Sequence, residues 1–265
     1  MFASLSVPRF CSLYSPAQVD GITEAARVAS GVLLDVARAA VAGVTTHELD
    51  KLARERIAIA GAETLFEGVR EGSGPAFSAA TCISVNDAVV HGLPDGTRLS
   101  TGDIVTLDVG LRYRGWCADL ALPVAVGVPG DRLVEAADAA TQAVVERAGP
   151  DVAWSVCAAA ASAAAESRGV VLVEGFGGHG LGVSLHEKPA AGFDQDQRRA
   201  GPRDWFLRPG MVLTVEPIVA ERSAEVSVDR DGWTVRLAGG VRAAYRERMV
   251  AVTSSGVRVL DGLGD

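Results

Sequence analysis

The chain has 265 residues, 48% apolar and 22% charged, a globular composition that allows a large core and excludes a disordered protein. Its net charge is −8 with basic residues scattered rather than striped, so no nucleic-acid or polyanion partner is expected. No apolar run approaches the ~20 residues of a membrane span, and Cys11, Cys82, Cys117 and Cys157 form no CxxC pair, so the expectation is a monomeric cytoplasmic protein with reduced thiols, away from membranes.

Residues 1–14 lack a continuous apolar signal core and read as an N-terminal arm, with residues 15–265 as a single domain. Ser15-Pro16 supplies an N-cap and an N1 proline, and Ile22, Ala25, Ala26, Ala29, Val32, Leu33 and Val36 follow at helical spacing. Thr45-Thr46-His47-Glu48 opens a second helix carrying Leu49, Leu52, Ile57 and Ile59, ended by Gly61. His47 falls in its solvated first turn and carries no role. Gly68 to Ala80 is a Gly/Ser/Pro loop of a length often associated with function, and Thr81 to Val85 reads as a strand leading to His91.

The stretch from Gly102 to Pro123 reads as a hairpin, with apolar runs Ile104–Leu111 and Trp116–Val126 flanking a polar turn at Arg112–Gly115. Centring that turn between Tyr113 and Arg114 puts Asp108 directly opposite Asp119. Two carboxylates on one face, ~5 Å apart at Cβ, repel each other unless a cation or shared proton lies between them.

Pro129 to Ala148 and Asp151 to Ser167 predict two further helices, and Val170 to Val173 a strand. Glycines around His179 let the backbone approach a ligand closely, and His186 follows seven residues later in extended chain. Met211 to Glu216 is an apolar strand ending in an acid that is costly to bury alone, and Trp233–Leu237 and Val241–Thr253 close the chain as strands. Glu247 lies between Arg246 and Arg248, where a surface ion pair is the simpler account. The halves 15–126 and 129–253 repeat a helix-helix-strand pattern, predicting a pseudo-twofold α+β fold with helices outside a curved antiparallel sheet.

Asp108, Asp119, His179, Glu216 and Glu247 form an oxygen-rich set suited to Mn²⁺, Fe²⁺, Co²⁺ or Zn²⁺, with too many acids for one zinc ion. Two divalent ions ~3.5 to 4 Å apart fit better and indicate metal-assisted hydrolysis, with His91 and His186 as donors to substrate.

The segments CISVNDAVVHGLP, GDIVTLDVG, GWCADLALP, GGHGLGVSLHEKP, RPGMVLTVEP and YRERMVAVT resemble, in order and spacing, the type I methionine aminopeptidases of the pita-bread fold. That resemblance implies Asp108, Asp119, His179, Glu216 and Glu247 as dinuclear ligands, with Asp119 and Glu247 bridging and Glu216 also the general base. It implies substrate contacts at His91, His186, Trp233, Phe77 and Cys82, with His91 and His186 catalytic alongside Glu216. The substrate would be the N-terminal methionine of a peptide or nascent chain, with transient contact at the ribosome. Xaa-Pro aminopeptidases share fold and ligands but resemble longer chains, and a catalytically silent pita-bread binding protein would be expected to have lost ligands.

The sequence departs from the family at its methionine pocket. Gly74 and Pro75 stand where a Tyr-His loop is expected, Leu185 stands in place of an aromatic, Leu120 in place of a small hydroxyl residue and Arg248 in place of a histidine. A looser preference for methionine is therefore expected.

Overall fold

The computed structural model describes residues 11–70, 72–201 and 204–264, so most of the expected arm lies outside the described residues. The first half of the chain runs α1 (Pro16–Ala39), α2 (Thr46–Ile59), β1 (Glu63–Thr64), β2 (Cys82–Val85), β3 (Ala88–Val90), β4 (Ile104–Tyr113) and β5 (Trp116–Ala125). The second runs α3 (Arg132–Arg147), α4 (Trp154–Glu166), β6 (Val171–Leu172), β7 (Gly177–Gly180), β8 (Glu187–Gly192), β9 (Val212–Val215), β10 (Ile218–Ala220), β11 (Val226–Val228), β12 (Val235–Leu237), β13 (Ala243–Tyr245), β14 (Arg248–Thr253) and β15 (Gly256–Val259).

Both expected N-caps form complete capping boxes. Ser15 accepts from the Gln18 amide while Gln18 returns to the Ser15 amide, and Thr45 and Glu48 do the same for α2. Ile59 departs from the expected stripe and is 76% exposed. It lies two residues beyond buried Ile57, roughly 200° around the helix, so the two cannot share a face. The second pair of helices begins later than expected. Asp131 caps α3 by accepting from the Leu133 amide, and the chain before α4 is held out of the helix because its backbone at Asp151, Val152 and Trp154 bonds to Leu207 and Trp205.

Strand pairs are antiparallel throughout the described residues. β1, β2 and β5 gather on β4, while β15-β14-β9-β7-β8 form a second sheet; β13-β10-β6 and β11-β12-β3 complete the set. Each helix pair covers the strands of its own half. One core joins α1 and α2 to alternate residues of β4 and β5, and the other joins α3 and α4 to β9 and β14. The two halves meet where Ala121 of β5 bridges Glu247, with the Glu247 amide donating to the Ala121 carbonyl at 3.0 Å. That bridge divides the expected strand Val241–Thr253 into β13 and β14. Likewise, Trp233 and Thr234 precede β12 in a turn whose amides are held by Asp231.

Arg248 of β14 is buried and its guanidinium bonds Asp261, whose side chain is fully buried. Gly262 then donates to Ser30 of α1, so this pair ties the C-terminal segment to the first helix. Removing one partner of such a pair leaves an uncompensated buried charge, which costs about 3 to 5 kcal/mol. Asp261→Ala should therefore lower unfolding free energy by about that amount in denaturant titrations. Val41→Ala, at an exposed position, should change it by less than about 0.5 kcal/mol.

Candidate metal centre

Val105, Leu107, Val109 and Leu111 of β4 pack into the α1–α2 core, so strand alternation turns Thr106, Asp108 and Gly110 to the opposite face. Ala118 and Leu120 of β5 enter the same core, which turns Asp119 and Ala121 toward Asp108. The register differs from the expected one. Arg114 and Gly115 take φ of 49° and 85°, a two-residue hairpin turn closed by Tyr113 and Trp116. Asp108 consequently pairs with Ala121 and Asp119 with Gly110, making the acids diagonal neighbours rather than direct partners. Because the offset is two residues, both remain on one face.

Glu247 joins them from the second half through its bridge to Ala121 and is 2% exposed. It is not a surface ion-pair partner: Arg246 pairs with Asp138 and Arg248 with Asp261. Glu216 follows β9 directly, and Thr214 donates to its Oε1 at 3.0 Å. The Thr214 hydroxyl also accepts from the His179 amide at 3.0 Å, fixing β7 against β9. A Cβ at Gly178 would lie 2.2 Å from the Thr214 carbonyl oxygen, so only glycine permits this approach.

The His179 Nδ1 lies 2.9 Å from the Gly180 carbonyl, which can only accept, so Nδ1 carries the proton. Nε2 is thereby left with its lone pair 3.8 Å from Asp119 and 4.0 Å from Glu216. Burial first, then neighbouring His186, pushes the His179 pKa down to about 4, so these contacts involve a neutral imidazole rather than an ion pair.

Three overlapping groups have ligand atoms within 4.8 Å of one another: Asp119-His179-His186, His179-Glu216-Glu247 and Asp108-Asp119-Glu247. Asp108 Oδ1, Asp119 Oδ1 and Glu247 Oε1 are buried without a hydrogen-bond partner. Desolvation pushes Asp108 up to about 7 and Glu216 up to about 8. Asp119 rises well above the usual carboxylate range through desolvation and then the charge of Asp108 and Glu216, and Glu247 does so through desolvation and then the charge of Asp119, Glu216 and Asp108. Unpartnered carboxylate oxygens, acids that resist ionisation and a neutral imidazole aimed at them all fit a divalent cation site.

The cluster forms the floor of a cavity of about 370 Å³. His91, at φ 54°, enters from the end of β3 and stands edge-on to Trp233 with ring centroids 6.3 Å apart. Positive φ in a residue with a Cβ is strain of the kind found at functional positions. His186 stands 4.3 Å from His179, ring to ring. Phe77, Cys82, Leu185 and Trp233 line the wall. All the expected site residues are thus brought to one cavity.

The wall differs from the expectation built on Gly74 and Pro75, neither of which lines the cavity. The run from Gly68 folds back on itself, with Gly68 and Phe77 bonded through their backbones and Arg70 bridging Ala76. Pro75 instead accepts from the Trp233 indole at 3.0 Å. Phe66 and Val69 line the cavity. Phe66 meets Phe77 edge-on, and Phe77 meets Trp233 in the same way. A Cβ at Gly110 would lie 2.3 Å from the Phe66 ring, so that glycine makes the space the phenyl group occupies.

Sequence reasoning also missed Tyr245, whose hydroxyl donates to Asp108 Oδ2 at 2.6 Å, and Thr214. Each lies two residues before an acid of the site, the spacing of one strand face, which was the available signal.

Residues 20–254 match metallopeptidase family M24. The chain belongs to that family. It is 35% identical to the methionine aminopeptidase of Aquifex aeolicus over 95% of this chain and 98% of that one. The crystal structure of methionine aminopeptidase from Rickettsia prowazekii superposes with a TM-score of 0.87 at 25% identity, covering 94% of this chain and 99% of that chain. Prolidase from Pyrococcus furiosus shares the pita-bread fold at a TM-score of 0.72 and 20% identity, but this chain, 96% covered, spans only 66% of its length. M24 membership brings dependence on a divalent metal.

The raised carboxyl pKa values set the pH dependence of the cation-free protein. Asp and Glu in an unfolded chain titrate at about 4, so near neutrality the folded state binds more protons and stability falls as pH rises. His179 acts oppositely, but only below the ordinary histidine pKa of about 6.5. Between about pH 6.5 and 8 the carboxyls of the site act without it. The melting temperature of chelator-treated protein should fall across that window, and added Mn²⁺ should raise it by an increment that grows with pH. Calorimetry with and without chelator checks both slopes; a cation-free midpoint that climbs with pH would contradict the cluster.

Proposed function

We propose that this chain is a metal-dependent aminopeptidase that removes N-terminal methionine from peptides and nascent polypeptides. One observation carries the reading: six side chains able to hold metal, His186 among them, gather in a cavity whose wall is apolar and aromatic. Relatives and structural neighbours named methionine aminopeptidase support it. Asp108, Asp119, His179, Glu216 and Glu247 would hold two divalent cations, drawn from Mn²⁺, Fe²⁺, Co²⁺ and Zn²⁺. When bound, such cations supply Lewis acidity to the scissile carbonyl and make water acidic enough to attack near neutral pH.

The protein's own groups do the rest. Thr214 occupies Glu216 Oε1, so Oε2 takes the proton of the attacking water and passes it to the departing amine. Tyr245 fixes the Asp108 carboxylate through Oδ2 and leaves Oδ1 facing the cluster. His91 donates to the substrate carbonyl as negative charge develops there, and His186 adds a second donor. Phe66, Phe77 and Trp233 close around the first side chain, an unbranched thioether that gains from contact with aromatic rings.

Asp108→Ala should abolish turnover of Met-Ala-Ser and lower the metal content of the purified protein. His91→Ala should cost ~10² to 10³ in kcat with metal content kept. Retention of most activity by Asp108→Ala would remove the hairpin from the site. Ala-, Leu- and Xaa-Pro-peptides assayed alongside discriminate a methionine enzyme from a proline-directed one.

Phe66 supplies the wall that the sequence comparison had missing, so preference for methionine over leucine is retained. Truncating it strips aromatic area worth ~25 cal/mol per Å², or ~1 to 2 kcal/mol of transition-state binding. Phe66→Ala should therefore lower kcat/KM for Met-Ala-Ser about fivefold to thirtyfold, and lower it less for Leu-Ala-Ser. Equal losses on both peptides would remove Phe66 from the pocket.

A further inference from the structure

The loop that carries His186 is held from outside the cavity. Leu181 is fully buried at its start, but Val183 is 54% exposed and Ser184 is exposed, so apolar contacts do not fix the middle of the loop. Polar contacts do. Glu187, next to His186, accepts from the Val183 amide at 3.1 Å and the Ser184 amide at 3.0 Å. The Tyr14 hydroxyl reaches both Glu187 oxygens at 2.8 and 2.9 Å and accepts from the Val183 amide at 3.1 Å.

Tyr14 is itself held firmly. Its amide donates to the Gly210 carbonyl at 2.8 Å, and its ring stands edge-on to Trp116, 5.8 Å away at the start of β5. A Cβ at Gly182 would lie 2.2 Å from the phenol Cζ and oxygen, so glycine at that position admits the ring. The β4–β5 hairpin grips the loop's other side, with Arg112 donating to the Val183 carbonyl at 2.7 Å and the Cys117 amide to the Gly182 carbonyl at 2.8 Å.

We propose that Tyr14, at the end of the expected N-terminal arm, is a positioning residue that acts through Glu187 to fix His186 over the metal cluster. This inference rests on the aminopeptidase reading, in which His186 touches substrate. The phenol and carboxylate form a clamp on the Val183 and Ser184 amides, while the β4–β5 hairpin holds the Gly182 and Val183 carbonyls. Releasing the clamp lets the imidazole drift, and small misplacements of a reacting group cost large factors in rate.

Tyr14→Phe tests the clamp because it keeps the ring against Gly182 and Trp116 and deletes only the hydroxyl. Two measurements on the full chain with Mn²⁺ decide it. Native-state hydrogen exchange should show the Val183 and Ser184 amides exchanging at least about tenfold faster in the variant. Kinetics on Met-Ala-Ser should show kcat reduced about tenfold with KM little changed, and the same substitution in a His186→Ala background should cost less than about twofold. Unchanged amide exchange would overturn the proposal. An equal rate loss in both backgrounds, or no loss in either, would overturn it as well. A wild-type protein inactive on Met-Ala-Ser would refute the aminopeptidase reading instead, and exchange alone would still decide whether Tyr14 holds the loop.

Discussion

Four carboxyl groups share a water-poor floor in this protein, and the surrounding structure is arranged around keeping them there. Isolated buried carboxylates are strongly disfavoured, and the response of these groups is the expected one: desolvation makes all four resist ionisation. Three of their oxygens have no hydrogen-bond partner. A site organised for stability alone would have neutralised them with arginine. The two arginines that flank Glu247 are turned away to Asp138 and Asp261, which leaves the acids to a cation.

Holding mutually repelling groups in place requires rigid support on every side, and the strand period provides it. Odd-numbered residues of β4 face α1 and α2, so Asp108 is fixed by its apolar neighbours at Leu107 and Val109 as much as by its bond from Tyr245. Thr214 serves His179 and Glu216 at once, so the His179 backbone and the acid are set by one hydroxyl. Glycine appears where backbones must come closer than a Cβ allows: Gly178 against β9, and Gly92 after His91, where a Cβ would lie 2.3 Å from the Ile83 carbonyl oxygen. The four acids and His179 therefore sit on strands or directly beside strand ends, which hold a side chain more precisely than a loop does.

This division explains what could be read from the sequence. Helices with Ser15 and Thr45 caps, the Asp108/Asp119 hairpin and the acid ending the MVLTVE strand all follow local rules, so their positions were legible. The hairpin register was missed because positive φ at Arg114 and Gly115 selects a turn one residue further along, which periodicity does not report. Glu247 looked like a surface acid because the bridge that buries it comes from Ala121, over a hundred residues away in the chain. Phe66 was missed for a similar reason. Its contacts with Phe77 and with the space beside Gly110 depend on the backbone bonds between Gly68 and Phe77 and on a glycine of β4 far along the chain, neither of which motif spacing reports.

The same division separates what the chemistry needs from what selectivity needs. The acids of the cluster come from both halves of the chain, on or beside strands whose other residues enter the two apolar cores. The wall of the cavity is different: Phe66, Val69 and Phe77 belong to one folded-back segment whose tip touches Trp233 through the Pro75 carbonyl. Such a segment can be lengthened or reshaped without moving a strand, because loop extension costs little once the ends are fixed. In this chain the segment delivers two aromatic rings edge to edge and sets Phe77 edge-on against Trp233, by a route other than a Tyr-His loop. A wall held by ring-to-ring contacts can be reshaped within its own segment while the strands that carry the acids stay fixed beneath it.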